Sequence, residues 1–262
     1  MAIVTILIPN YKTPLLTKLC LRLLRKNSNI DQVRVVVIDN DSRDESTTYL
    51  RSLSWIDLIE RPSTDDDTPS LSHSRALDLA LEQVTTPYVL VMHTDTMVTD
   101  PKWLDFLIHQ IESNENIAGV GSWKLENKTL IQRAGKWIES LVARIKNLFK
   151  QEKSQKEEPY LRSHCALYRM DVIRKLNLSF SQDKQTAGKA MHYRFIENGY
   201  RMVFLSPKEL GQYMEHINHS TMVLNPSLSS RTKSVAKGQK RIQKAFERLN
   251  AEKILNDDSL DH

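Results

Sequence analysis

Two apolar, β-rich runs in this chain, residues 33–38 and 88–92, each stop abruptly at polar and acidic residues. The first ends in Asp39-Asn40-Asp41-Ser42 and the second in His93-Thr94-Asp95. A run of aliphatic and β-branched residues without polar alternation is what a parallel strand buried on both faces requires. Parallel neighbours cannot be joined by a hairpin, so helical crossovers must lie between them. The chain supplies these. After an apolar opening segment, residues 3–9, the pattern breaks at Pro9-Asn10-Tyr11, and residues 15–25 place Leu15, Leu16, Leu19 and Leu23 on one helical face. Residues 46–53, 71–84 and 101–113 read as further helices, the last with Pro101 at its start, and residues 55–60 read as a short strand before a polar loop over 61–70. The alternation predicts an α/β fold, a Rossmann-type and mostly parallel sheet flanked by helices.

The second half is less regular. Residues 117–123, 163–169 and 202–205 read as strands, the middle one returning to the sheet. Residues 186–197 read as a helix stopped by Asn198-Gly199, and residues 235–254 as a terminal amphipathic helix. Residues 137–149 are amphipathic with basic residues between the apolar ones, and the charged stretch 151–159 lacks periodicity. The expected division is a main domain over residues 1–225 and a basic helical extension over 226–262.

With 262 residues, 40% hydrophobic and 26% charged, the composition is that of an ordinary globular protein. No apolar run reaches the length of a membrane span. The N-terminal residues lack the basic region and cleavage site of a signal peptide, and two cysteines do not make a disulfide framework. A cytoplasmic location is therefore expected. The net charge of +5 suits anionic partners, and no nucleic-acid motif is present, so nucleic acid is not expected among them.

Polar residues at the carboxyl ends of strands in an open α/β sheet sit where such sheets bind ligands. A carboxylate there can hold a divalent cation, and a hard cation can hold a diphosphate. Asp39 and Asp95 are placed for that role. Read singly, each has a plainer explanation: Asp39 as a strand-end residue closing a turn, and Asp95 as a helix cap.

In order, these pieces resemble glycosyltransferase family 2, whose members have the GT-A fold. Thr5-Ile6-Leu7-Ile8-Pro9-Asn10-Tyr11 resembles the family's opening strand and turn, and Val36 through Asp44 its second strand. Ser74-Arg75-Ala76-Leu77 resembles the helix start that often carries Ala-Arg-Asn, and Tyr88 through Asp95 the strand carrying an Asp-x-Asp element. Gly199-Tyr200-Arg201 followed by His216 or His219 resembles the late Gly-Tyr-Arg and metal-ligand histidine. The match spans residues 3–225 as ordered motifs.

The resemblance implies a nucleotide-sugar transferase using a UDP- or GDP-linked donor and Mn²⁺ or Mg²⁺. Pro9 and Tyr11 would shape the base pocket, Asp39 would accept a hydrogen bond from the base or ribose, and Thr94 and Arg75 would meet the nucleotide or its diphosphate. Asp95 would bind the metal, with His219 as first choice and His216 as second to complete it. The implied acceptor is a hydroxyl on a glycan or a lipid-linked sugar, as in polysaccharide biosynthesis.

Two departures stand out. His93 occupies the place of the family's first Asp and could coordinate metal, bond the sugar or merely be tolerated. Where inverting members carry a Glu-Asp pair, residues 186–190 hold no carboxylate. Asp183 is the nearest substitute as base, with His192 and Glu197 further candidates, so inversion versus retention stays open. Residues 137–149 could pack on the core, cover the site or lie peripherally on the inner face of a membrane. Three other functions fit the fold class: a nucleotidyltransferase, for which the turn after the first strand lacks a glycine; a non-catalytic nucleotide-binding protein; and a membrane-associated scaffold.

Overall fold

In the computed structural model, residues 2–123, 158–184, 186–218, 220–225 and 232–262 are described. Strands β1 (Val4–Asn10), β2 (Val33–Asp39), β3 (Asp57–Glu60) and β4 (Tyr88–Met92) are connected through helices α1 (Pro14–Lys26), α2 (Glu45–Ser52) and α3 (Pro69–Leu81). A short strand β5 (Thr96–Val98) and helix α4 (Trp103–Glu112) lead to β6 (Ile117–Gly121), β7 (Cys165–Arg169), β8 (Arg201–Phe204) and β9 (Met214–His216). The main sheet has seven strands in the order β3-β2-β1-β4-β7-β6-β8. β1, β2, β3 and β4 run parallel, β6 and β8 run parallel, and β7 returns antiparallel between β4 and β6.

The apolar runs have no polar alternation because both faces of the sheet are covered. Val4, Ile6 and Ile8 of β1 turn to a core shared with Leu16, Leu19 and Leu23 of α1 and Leu107 of α4. Leu7, Val36 and Ile38 turn to the opposite face, against Ala76, Leu77 and Ala80 of α3. Period-two alternation is thus present in space and invisible in hydropathy.

Local chemistry sets the helix starts. Pro14 opens α1, the Asp44 side chain accepts from the Ser46 amide at the start of α2, and Thr68 caps α3 ahead of Pro69. Two helices differ from the pattern read in the sequence. The helix expected from residue 186 begins at Lys189, because Gly188 stands at φ 76° just before it. The terminal helix is broken into Thr232–Arg248 and Ala251–Leu255 by Asn250 at φ 50°, a left-handed conformation that asparagine tolerates. The amphipathic stretch 137–149 lies outside the described residues.

The C-terminal residues do not stand apart from the sheet. Ala251 and Ile254 join the core containing β1 and α1. The fully buried Arg22 of α1 donates to the carbonyls of Ile254 (3.1 Å) and Leu255 (2.7 Å), to Asp258 Oδ1 (2.6 Å), and to both carboxylate oxygens of Asp261. Those contacts occupy all five guanidinium N–H groups. Among the described residues, no helix is long and apolar enough to cross a membrane.

Candidate functional site

The parallel strands β1, β2 and β4 bring their carboxyl ends to one edge of the sheet, as their register dictates. Asp39, the last residue of β2, is buried. Its Oδ1 accepts from Asn10 Nδ2 at 2.9 Å and from the Ser42 hydroxyl, and its Oδ2 accepts from Thr47 Oγ1 at 2.7 Å. A cleft of about 600 Å³ opens beside it, lined by Asp39, Asp41, Arg43, Thr47, Arg51 and Arg61 among others. Asn10 also links this carboxylate to β4. Its Oδ1 accepts from Thr17 Oγ1 at 2.7 Å and from Thr13 Oγ1 at 3.4 Å, and Thr13 Oγ1 lies 3.2 Å from Thr94 Oγ1. Thr94 is buried in this network.

Three residues after β4, Asp95 meets two histidines. β5 and β9 pair antiparallel with Thr96 opposite His216, and a tight turn from the His93 carbonyl to the Thr96 amide (3.0 Å) folds His93 over the same spot. His216 Nε2 lies 3.1 Å and His93 Nδ1 3.8 Å from Asp95 Oδ1, and one ligand atom from each residue falls within 4.8 Å of the others. Asp95 Oδ2 accepts from the Ser220 amide at 3.1 Å. Asp95 Oδ1 and His216 Nε2 are both buried without a hydrogen-bond partner. A buried carboxylate oxygen and imidazole nitrogen left facing each other fit a divalent cation between them. Burial opposes ionisation of Asp95, but His216, His93 and the Ser220 amide outweigh it and hold the carboxyl well below the usual range.

His93 and His216 are thus brought to Asp95. β9 ends at His216, and two residues on Asn218 stands at φ 60°, outside the strand conformation. His219 itself lies outside the described residues. Pro9 is buried at the end of β1, and Tyr11, half-buried beyond it, carries Lys12 Nζ 5.3 Å from its ring centre. Arg75 on α3 is engaged by the polar loop that precedes the helix, 2.8 Å from Asp67 Oδ1 and 2.7 Å from Asp66 Oδ2. Asp183 is exposed on a one-turn 3-10 element at φ 59°. Glu197 is exposed and paired with Arg194 at 3.2 Å, as a helix surface residue would be.

Three nearby residues carried no signal in the sequence. Ser163 Oγ sits 2.9 Å from His93 Nε2 and 3.2 Å from His73 Nε2. His164 stacks on His216 at 4.5 Å between ring centres and bonds Ser122 at 2.9 Å. These come from α3 and from the residues before β7, and their proximity is purely tertiary.

His192 is a core histidine: fully buried, packed on Phe204, its Nδ1 accepting from the Leu161 amide at 3.4 Å. Burial lowers its pKa from 6.5 to about 4, and that of His73 to about 4 as well. Both are neutral in the fold at a pH where the unfolded chain binds protons, so their contribution to stability is complete above about pH 6.5 and is lost as pH falls toward 4. Urea unfolding is expected to show that decline, with His192 contributing on the order of 2 kcal/mol. His192→Met should flatten the slope, and an equally steep slope in the variant would rule out His192 as a source.

The profile of glycosyl transferase family 2 matches residues 5–176, from β1 past β7, and takes in Asp39, Arg75 and Asp95. The chain belongs to glycosyl transferase family 2. No curated protein matches the sequence significantly. Among solved structures, it is similar to the mannosyltransferase PcManGT from Pyrobaculum calidifontis in complex with GDP-Man and Mn²⁺, with 17% identity and a TM-score of 0.54 over 78% of this chain and 54% of that one. This chain therefore spans about half the length of that relative. It is also similar to S. aureus TarS 1-349, with 15% identity and a TM-score of 0.53 over 95% of this chain and 74% of that one. The same TarS fragment in complex with UDP gives a TM-score of 0.51 at 15% identity, over 95% and 71% of the two chains. At these identities the likeness is one of fold, and this family 2 member has the GT-A architecture: a mostly parallel central sheet between helices.

Proposed function

We propose that this family 2 protein transfers a hexose from a nucleoside diphosphate-sugar to a hydroxyl of a glycan or lipid-linked acceptor. The observation carrying this reading is the pairing of a cation-shaped His93–Asp95–His216 cluster with a buried Asp39 carboxylate at the same edge of the sheet. GDP-Man and UDP, bound by the similar structures, are the donor classes to try first.

Asp39 receives the nucleoside at the cleft, and its hydrogen bonds from Asn10, Ser42 and Thr47 fix the carboxylate in one orientation. Arg75 turns from Asp66 and Asp67 to the diphosphate oxygens, which offer the same bidentate geometry. His93, Asp95 and His216 hold the divalent cation. When bound, that ion neutralises the charge developing on the departing nucleoside diphosphate as a Lewis acid. The Asp95 carboxyl is ionised throughout the neutral range and so is ready to bind it without releasing a proton. Asp183, open to solvent, is the proposed base for the acceptor hydroxyl. The reaction takes place in a reducing, cytoplasmic setting, with a membrane surface as one source of acceptor.

Calorimetric titration of UDP and GDP with and without Mn²⁺, followed by a release assay over UDP- and GDP-hexoses, tests the reading. One diphosphate should bind tightly only with the metal present. Metal-independent binding, or none of either nucleotide, would count against it. Asp39→Asn should weaken the preferred diphosphate about tenfold, the value of one hydrogen bond to a charged group, while leaving metal binding intact.

A further inference from the structure

We infer that the His93–Asp95–His216 site selects a first-row transition ion and rejects Mg²⁺, with Ser163 and His73 fixing His93 to coordinate through Nδ1. The inference rests on the metal reading above and adds to it the identity of the ion and two positioning residues.

The ligand set decides selectivity first. Two of the three candidate ligand atoms are imidazole nitrogens and one is a carboxylate oxygen. Mg²⁺ is a hard cation that takes oxygen ligands, whereas imidazole suits the later divalent ions. Where a second carboxylate would offer charge and oxygen to Mg²⁺, this chain offers a neutral nitrogen from His93. The spacing is compatible with one ion. Two ligands at right angles, each about 2.1 Å from a common centre, lie about 3 Å apart. The His216 Nε2 to Asp95 Oδ1 separation is 3.1 Å, and His93 Nδ1 needs only a small closing motion from 3.8 Å.

The proton arrangement around His93 supports the same conclusion. A cation at Nδ1 requires that nitrogen's lone pair, so the ring proton must sit on Nε2. That N–H faces Ser163 Oγ at 2.9 Å and donates to it. The Ser163 hydroxyl hydrogen is then free to point at His73 Nε2, 3.2 Å away, which accepts it. The His73 ring meets the His93 ring edge-on at 5.0 Å. One tautomer of each residue satisfies the chain of bonds and leaves His93 Nδ1 as a ligand. Partners of this kind set the tautomer and ring orientation of metal-bound histidines, and removing one typically costs tenfold to a hundredfold in metal affinity. On the other side of the site, His164 stacked against His216 holds the second imidazole plane.

The test uses metal-stripped full-length protein without nucleotide or acceptor. Co²⁺ is followed by its visible absorption and Mn²⁺ by its electron paramagnetic resonance signal. Both should bind, and a hundredfold excess of Mg²⁺ should not displace them. Ser163→Ala should raise the Co²⁺ dissociation constant tenfold to hundredfold. In a His93→Asp background Mg²⁺ should compete, and the serine substitution should have no further effect. Displacement of Mn²⁺ from the wild type by stoichiometric Mg²⁺ would overturn the selectivity while leaving the metal reading in place. An unchanged Co²⁺ affinity in Ser163→Ala would overturn the positioning role. Absence of binding by any of the three ions would remove the metal reading itself.

Discussion

Asp95→Asn is expected to lower sugar transfer by at least about a thousandfold with little change in stability. The asparagine keeps the shape of the side chain and an oxygen for the Ser220 amide, which lies 3.1 Å from Asp95 Oδ2. It removes the charge that faces His216 at 3.1 Å and His93 at 3.8 Å. Without that charge the two imidazoles retain a divalent cation poorly, and the Lewis-acid contribution to leaving-group departure is several kcal/mol. Each 1.36 kcal/mol is a factor of ten in rate, which gives the thousandfold figure. The fold loses the attraction between the carboxylate and the two histidines, but this is offset by the lower cost of burying a neutral amide in place of a charge. Steady-state transfer assays with saturating Mn²⁺, paired with thermal melts, check both halves. A variant that retains a tenth or more of wild-type turnover would mean that Asp95 is not a ligand required for the reaction.

Arg22→Met should cost about 3 kcal/mol and lower Tm by roughly 8 °C without altering the transfer rate per folded molecule. Arg22 is fully buried and gives every N–H to the C-terminal residues, so its loss leaves the carbonyls of Ile254 and Leu255 unpaired and the largely buried Asp261 with Tyr49 as its main remaining donor at 2.7 Å. The methionine refills much of the volume but supplies no donor. Asp258→Ala should cost far less than Arg22→Met, since that carboxylate is 82% exposed and its pair is screened by water. Limited proteolysis should cut Arg22→Met first after residue 250, where Asn250 already interrupts the helix. Equal melting temperatures and equal protease resistance in the two variants would show that the tail is held by apolar packing alone.

The alternation of strands and helices along the first half was legible because each element rests on local chemistry. The runs 33–38 and 88–92 are apolar at every position, which only a two-faced buried strand explains, and Pro14, Asp44 and Thr68 mark helix starts by capping geometry. The antiparallel return of β7 was expected as a strand, but its place between β4 and β6 depends on pairing across a long sequence gap. The helix break at Asn250 and the delayed start at Lys189 turned on single backbone conformations that hydropathy does not register.

At the site, the sequence by itself put Asp39 and Asp95 at strand ends, marked His93 as a departure and named His219 ahead of His216 as the late ligand, because residue type and position after a buried strand are local properties. That His93 and His216 both lie beside Asp95 is a tertiary fact. The register of β5 with β9 delivers His216, and Asn218 at φ 60° takes the chain out of the strand conformation. Arg75, expected from the resemblance to meet the nucleotide or its diphosphate, is seated against Asp66 and Asp67, whose approach depends on how the loop before α3 folds back. The Ser163, His73 and His164 surroundings include contacts between groups 68 to 90 residues apart in sequence. Local propensity carries no information about such contacts; strand register and the packing of both sheet faces create them.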